Sequence, residues 1–154
     1  MDVVRGAKNT LRWLFCLLLL GCGRDPREAG IDVDPELSAV VQRAASAWSA
    51  ATGGDVKFRL GCEDSTNCVR VRWGEPAGDA GYCLESKDGF DVTVRRGLWP
   101  EVLDFTVVHE LGHVLGLEHR NAHCNDGEVD IMSENLVPKK ICEPSLSSYW
   151  EIFR

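Results

Sequence analysis

Two histidines, His109 and His113, stand four positions apart in a segment whose apolar residues recur at helical spacing. At that spacing both imidazoles point the same way, about one turn apart, so they can bind one ion. Glu110 follows the first histidine, so its carboxylate can lie beside the ion and hold a water molecule. Gly116 can end the helix in a left-handed turn and bring His119 back as a third ligand. Three neutral imidazoles and a water form an open tetrahedral site, the catalytic type of zinc centre.

The alternative is that these histidines are unrelated helix and loop residues. The extended pattern His-Glu-x-x-His-x-x-Gly-x-x-His fixes five positions, three of them the scarce histidine. At ordinary residue frequencies such a match arises by chance on the order of 10⁻⁵ in a chain this short. The pattern therefore favours the metal site.

Two helices are predicted to surround a set of strands. The helix that carries the histidines is predicted to begin near Trp99, Pro100 and Glu101 and to run to about Gly116. Its opposite side is apolar, with Leu103, Val107, Leu111, Val114 and Leu115. An earlier helix is predicted to begin at 34–36, with a capping carboxylate and a proline, and to stop at 52–54. A short terminal helix is predicted over 144–153.

Three segments between the helices alternate apolar and polar residues, which predicts strands with one buried face. These segments are 56–60, 69–73 and 90–94. The stretch between the last two is rich in glycine and polar residues. A short edge strand around Tyr82, Cys83 and Leu84 is predicted there.

The zinc motif resembles that of the metzincin metallopeptidases at every fixed position, and its residues are most similar to those of the matrixin branch. A second family feature is a turn that places a methionine beneath the ligands, and Asp130-Ile131-Met132-Ser133 is similar to it. The alternative for Met132 is a core filler. Arg120 follows the third ligand where matrixins usually have serine. Glu134 occupies the place of the tyrosine ligand of other branches.

The resemblance implies an α+β fold with a single metallopeptidase domain over residues 32–154. A twisted mixed β-sheet would pack on two long helices, followed by a C-terminal helix. Zinc, one catalytic ion, would be bound by His109, His113 and His119.

The implied activity is zinc-dependent hydrolysis of peptide bonds in extracytoplasmic proteins or peptides, with Glu110 as the general base. An extended peptide would add to the edge strand at Tyr82, Cys83 and Leu84. Family analogy places the wall of the pocket beyond the scissile bond at Asn135, Leu136, Val137 and Pro138, with Phe105 at its floor. The alternative function is a catalytically silent zinc-binding lipoprotein that acts as a binding or assembly module.

Residues 1–21 have the anatomy of an export signal, with basic residues followed by a short apolar run. The run ends in Leu-Leu-Gly-Cys, which resembles a bacterial lipobox and predicts lipidation at Cys22. Residues 22–31 would then be a tether, with no propeptide before the domain, and the outer membrane is the favoured destination. The alternative is an ordinary secretory signal and a periplasmic or secreted protein.

Seventeen Lys and Arg residues against 24 Asp and Glu residues give a formal net charge of −7. A nucleic-acid partner is not expected, because phosphate contacts need a basic surface. We expect a monomer that meets a peptide or protein substrate and contacts the membrane through its lipid.

Seven cysteines agree with export to an oxidising compartment. The preferred bridges are Cys62–Cys68 and Cys124–Cys142, with Cys83 left over, although sequence alone leaves the connectivity open. The acidic residues Asp126, Glu128 and Asp130 could bind calcium. A solvated acidic loop is the alternative.

Overall fold

The computed structural model describes residues 25–63, 67–76, 79–134 and 139–153. The predicted signal segment 1–21 and the predicted lipidation site Cys22 lie outside this range. Within it, the α-helices are α1 (Ser38–Ala51), α2 (Pro100–Val114) and α3 (Glu143–Phe153). The strands are β1 (Gly30–Val33), β2 (Arg59–Leu60), β3 (Cys68–Gly74), β4 (Gly81–Ser86), β5 (Gly89–Arg95), β6 (Val129–Asp130) and β7 (Lys139–Lys140). Short 3₁₀ helices span Pro26–Glu28 and Pro35–Leu37.

Five strands form one mixed sheet in the order β2-β1-β3-β5-β4. All neighbours are parallel except β4, which pairs antiparallel with β5 through a tight hairpin. Strand β4 is therefore an edge strand, as the sequence predicted. Its far side has no strand neighbour within the described residues.

The structure differs from the sequence prediction at the start of the sheet. The predicted tether reaches residue 31, but β1 begins at Gly30 and pairs with both β2 and β3. Ala29 and Ile31 are buried in the core, so this segment is an integral part of the domain. The predicted strand at 56–60 is reduced to β2, because Val56 enters the core before pairing begins.

The core lies between the sheet and helices α1 and α2, which pack against each other. Trp48 of α1 is fully buried, and its indole Nε1 donates a hydrogen bond to the Val108 carbonyl of α2 at 2.8 Å. Burying the indole therefore leaves no unsatisfied donor, and α2 is fixed against α1 just before the first histidine.

Two disulfides cross-link segments of the described chain. Cys62 pairs with Cys68 and Cys124 with Cys142, which confirms the preferred connectivity. Cys83 is the free cysteine of the described residues. Such bridges persist in oxidising compartments, which favours a place outside the cytoplasm. Among the helices that the structure describes, none has the length and apolar character needed to cross a bilayer.

Candidate metal centre

The three predicted ligands meet at one point. His109 and His113 lie on α2 and His119 in the following loop, and their Nε2 atoms are 3.0–3.2 Å apart. Two nitrogens bound to a tetrahedral zinc ion at about 2.0 Å would be about 3.3 Å apart, so the arrangement fits that ion. Within the described part of the chain, this is the one cluster of three metal-ligating side chains.

The other nitrogen of each ring has an acceptor that sets the tautomer. His109 Nδ1 lies 2.6 Å from the Ile131 carbonyl, and His113 Nδ1 lies 2.8 Å from the Leu117 carbonyl. His119 Nδ1 lies 3.2 Å from a Glu134 carboxylate oxygen. Because these oxygens accept hydrogen bonds, each Nδ1 is placed to donate, which leaves each Nε2 free to direct a lone pair at the common centre. Three converging lone pairs repel one another unless a cation lies between them, so the donor set fits a metal.

Burial keeps two of the rings neutral. Desolvation lowers the pKa of His109 to about 3, although its hydrogen bond to Ile131 opposes the shift. Desolvation also lowers the pKa of His113. Neutral imidazole is the form that binds metal, so these rings are ready ligands at neutral pH.

Gly116 follows the end of α2 and turns the chain, as the sequence analysis expected. Its φ is +80°, which favours glycine. The Gly116 N–H donates to the His113 carbonyl, and the Leu117 N–H donates to the Gly112 carbonyl at 3.1 Å, which is the Schellman pattern. This turn reverses the chain so that His119 returns to the centre, and it places the Leu117 carbonyl against the ring of His113.

Met132 lies beneath the ligands in the predicted turn. It is fully buried, and its Sδ atom occupies the space where a Cβ on Gly112 would be. Asp130 holds the turn, since its carboxylate accepts the Met132 N–H at 3.0 Å. The same turn supplies the Ile131 carbonyl that orients His109.

Glu110 lies beside the centre and is almost completely buried. Its Oε2 atom has no hydrogen-bond partner among the described residues. Burial, together with the negative charge of Asp79, raises the pKa of Glu110 to about 8, and the positive charge of Lys139 opposes this shift. A buried carboxylate oxygen without a partner is the group expected to hold a water or a substrate proton.

Strand β4 borders the cleft above these residues. Arg95 N–H donates to the Ala80 carbonyl, and bonded pairs alternate along an antiparallel ladder. Tyr82 and Leu84 therefore bond to β5, whereas the main-chain groups of Gly81, Cys83 and Glu85 face the open edge.

The predicted substrate residues are thus only partly brought together. Tyr82, Cys83 and Phe105 line the cleft with the histidines. Leu84 does not, because its side chain is 57% exposed outside the cleft and its main chain bonds to β5. The predicted wall at 135–138 lies outside the described residues.

Lys139 is a cleft residue that the sequence analysis did not single out, and Glu134, which was noted only for standing in the place of a tyrosine ligand, also lines the cleft. The Lys139 ammonium donates to the Ser133 carbonyl and lies 5.8 Å from the centre of the Phe105 ring. No motif marks Lys139, since it reaches the site from strand β7, which follows the methionine turn.

The acidic residues considered for calcium have other partners. Asp126 and Glu128 pair with Lys140 on the surface. The buried Asp130 carboxylate accepts from the Met132 N–H, the Ser145 N–H and the Ser145 hydroxyl. These three carboxylates do not converge on a cation site within the described residues.

No family model and no curated protein matches the sequence. Among solved structures, archaemetzincin from Methanopyrus kandleri is 16% identical, with a TM-score of 0.55 over 82% of this chain and 96% of that one. The ECX AB5 holotoxin in its GM1-bound form is 17% identical, with a TM-score of 0.49 over 81% and 71% of the two chains. Myroilysin is 17% identical, with a TM-score of 0.48 over 67% and 54%. The archaemetzincin overlay confirms the expected metzincin-like α+β fold.

Proposed function

We propose that the protein is a zinc-dependent endopeptidase with His109, His113 and His119 as metal ligands and Glu110 as general base. The observation that carries the proposal is the convergence of three Nε2 atoms beside a buried carboxylate oxygen that has no partner. A purely structural zinc site has no use for such a base. Both features open onto a cleft bordered by an edge strand.

When bound, zinc supplies Lewis-acid chemistry, activating a water molecule and polarising the scissile carbonyl. Glu110 accepts a proton from the attacking water at its carboxylate. As the carbon–nitrogen bond breaks, Glu110 delivers that proton to the leaving amine. The carbonyls of Ile131 and Leu117 and the carboxylate of Glu134 hold the ligand rings in orientation.

The substrate would bind as an additional strand on β4. Gly81, Cys83 and Glu85 offer main-chain donors and acceptors at the open edge, and antiparallel pairing is the stronger arrangement. A peptide antiparallel to β4 runs from Glu85 toward Gly81 in its own N-to-C direction. The residues after the scissile bond then lie near Gly81.

The biological setting belongs to the same proposal. The residues of the zinc motif are most similar to those of the matrixin branch. We assign one catalytic zinc to a monomeric enzyme. The two disulfides and the lipobox-like segment support export and lipid anchoring at Cys22, with the outer membrane as destination. The substrates would be extracytoplasmic proteins or peptides.

The test is digestion of a diverse peptide library by the zinc-loaded protein and by its Glu110→Gln variant, read by mass spectrometry. The carboxamide preserves size but cannot accept the proton, so cuts should appear only with the parent protein. Zinc content of both proteins is the control. Zinc bound in both but no cuts in either would overturn the peptidase and leave the binding-module alternative.

A further inference from the structure

Lys139 brings a positive charge into the cleft beside Phe105, the neighbour in sequence of Thr106, over which β4 begins. It is half-buried and lines the cleft together with Phe105, Thr106 and Glu110. Its ammonium lies over the face of the Phe105 ring. Phe105 precedes His109 by one turn of α2. The ring and the Ser133 carbonyl hold the ammonium inside the cleft instead of in bulk water.

Among the residues that the structure describes, none forms an ion pair that neutralises the charge of Lys139. No carboxylate among the described residues pairs with its ammonium, and its recorded hydrogen bond goes to a neutral carbonyl. The negative charges of Glu110, Asp130 and Glu134 act on the Lys139 ammonium from a distance. Glu110 lies beside the histidines, Asp130 accepts the Met132 N–H, and Glu134 contacts His119. By contrast, the neighbouring Lys140 pairs with Asp126 and Glu128 away from the cleft. An ammonium has three donors, so Lys139 keeps capacity for a ligand.

The direction of the bound peptide determines which substrate residue meets this charge. A Cβ added to Gly81 would lie 2.9 Å from a Thr106 methyl and 3.0 Å from Glu110 Oε1, so the start of β4 passes directly over the general base. A peptide antiparallel to β4 carries its residue after the scissile bond to this place. That side chain enters the space bounded by Phe105, Thr106 and Lys139.

We propose that Lys139 is a specificity-determining residue that selects substrates with an acidic side chain immediately after the scissile bond. This inference rests on the proposed peptidase function and names its substrate class. The stem of a glutamate packs against Phe105 while its carboxylate accepts from the Lys139 ammonium. A neutral side chain of the same size leaves the ammonium without its counter-charge, which is why the pocket discriminates.

The first experiment compares three peptides that differ only after the scissile bond, where they carry Glu, Gln or Leu. The parent protein should cleave the Glu peptide with a kcat/KM about 10- to 100-fold higher than the Gln peptide, the effect of one charge-assisted hydrogen bond. Lys139→Met keeps the length and the apolar contact with Phe105 but removes the charge. It should abolish the preference for Glu over Gln while retaining cleavage of the Leu peptide.

Lys140→Met is the matched control, because it removes the same charge from the adjacent residue outside the cleft. It should leave the preference unchanged. Lys139→Glu should reverse the preference toward a peptide with Lys at that position. Equal cleavage of the Glu and Gln peptides by the parent protein, or a preference for Glu that survives Lys139→Met, would overturn the assignment.

A binding measurement separates this inference from the proposed function. Fluorescence anisotropy with the same peptides on zinc-loaded Glu110→Gln requires no turnover. Tighter binding of the Glu peptide that is lost when Lys139→Met is added supports the charged pocket, even if no peptide is cleaved. Equal affinity for all three peptides refutes the pocket, even if Glu110-dependent cleavage has been demonstrated.

Discussion

Gly112 is the position at which added volume most directly tests the packing beneath the metal centre. It lies on the zinc helix between the two histidines, and a Cβ there would collide with Met132 Sδ and lie 3.1 Å from Trp48 Cζ2. Both neighbours are fully buried, so neither can move into solvent. Overpacking a close-packed core costs about 1–3 kcal/mol. Alanine regains about 1 kcal/mol of helix propensity. The collision is severe, so we expect Gly112→Ala to lower the free energy of unfolding by about 1–2 kcal/mol.

The assay is urea denaturation of four proteins at 25 °C: the parent, Gly112→Ala, Met132→Val and the double variant. Valine removes the Sδ atom, so in its background the alanine should cost nothing or stabilise the helix. Gly116→Ala is the control, since its Cβ would meet only Ile152 Cδ1 at 3.7 Å. Its cost, about 1–2 kcal/mol, comes from the left-handed backbone and should not depend on Met132. A Gly112→Ala protein as stable as its parent, or an equal loss in both backgrounds, would refute the packing argument.

Three further predictions concern the surroundings of the site. Glu134→Gln should weaken zinc binding about 10- to 100-fold, because it loses the charged acceptor that orients His119; a chelator competition that gives the parent affinity would contradict this. Burial raises the pKa of the Cys83 thiol to about 12. At pH 8 native Cys83 should therefore react with iodoacetamide about 1,000-fold more slowly than it does in urea, and its rate should rise with pH. Equal rates in the native and urea-unfolded protein would show that the thiol is exposed. Asp130→Asn should lower the free energy of unfolding by about 2–3 kcal/mol, because the amide group of asparagine would face the donors of Ser145 with donors of its own. An unchanged melting temperature would exclude this buried acceptor role.

The cluster of three histidines could be predicted from sequence because the placement of its members is local. His109 and His113 need only one turn of helix, and the return of His119 needs only the left-handed turn at Gly116. Short-range rules govern both, and tertiary packing refines them without altering them. The pairing of Cys124 with Cys142 could be preferred because both were expected in loops late in the chain, although the connectivity itself is fixed by the tertiary structure.

Strand β1 illustrates what short-range patterns do not reveal. Ile31, Asp32 and Val33 alternate apolar and polar residues, but a four-residue segment gives too little alternation to be distinguished from a polar loop. What makes the segment a strand is its pairing on both sides, with β2 and β3, which follow it along the chain. Its strand character is therefore a property of the assembled sheet, and a reading of the segment alone predicts a tether.

The surroundings of the acidic and basic residues that follow α2 depend on the tertiary structure in the same way. Asp126, Glu128 and Asp130 form a cluster in sequence, yet only Asp130 turns inward, because the buried donors of Met132 and Ser145 need an acceptor there. Lys139 and Lys140 are adjacent and identical in type, yet one faces the cleft and the other pairs with surface carboxylates. Successive residues of a strand point to opposite sides, so the two lysines must differ in surroundings once β7 pairs with β6. Which of the two lysines faces the cleft is therefore determined by the register of a two-residue strand, which only the tertiary structure reveals.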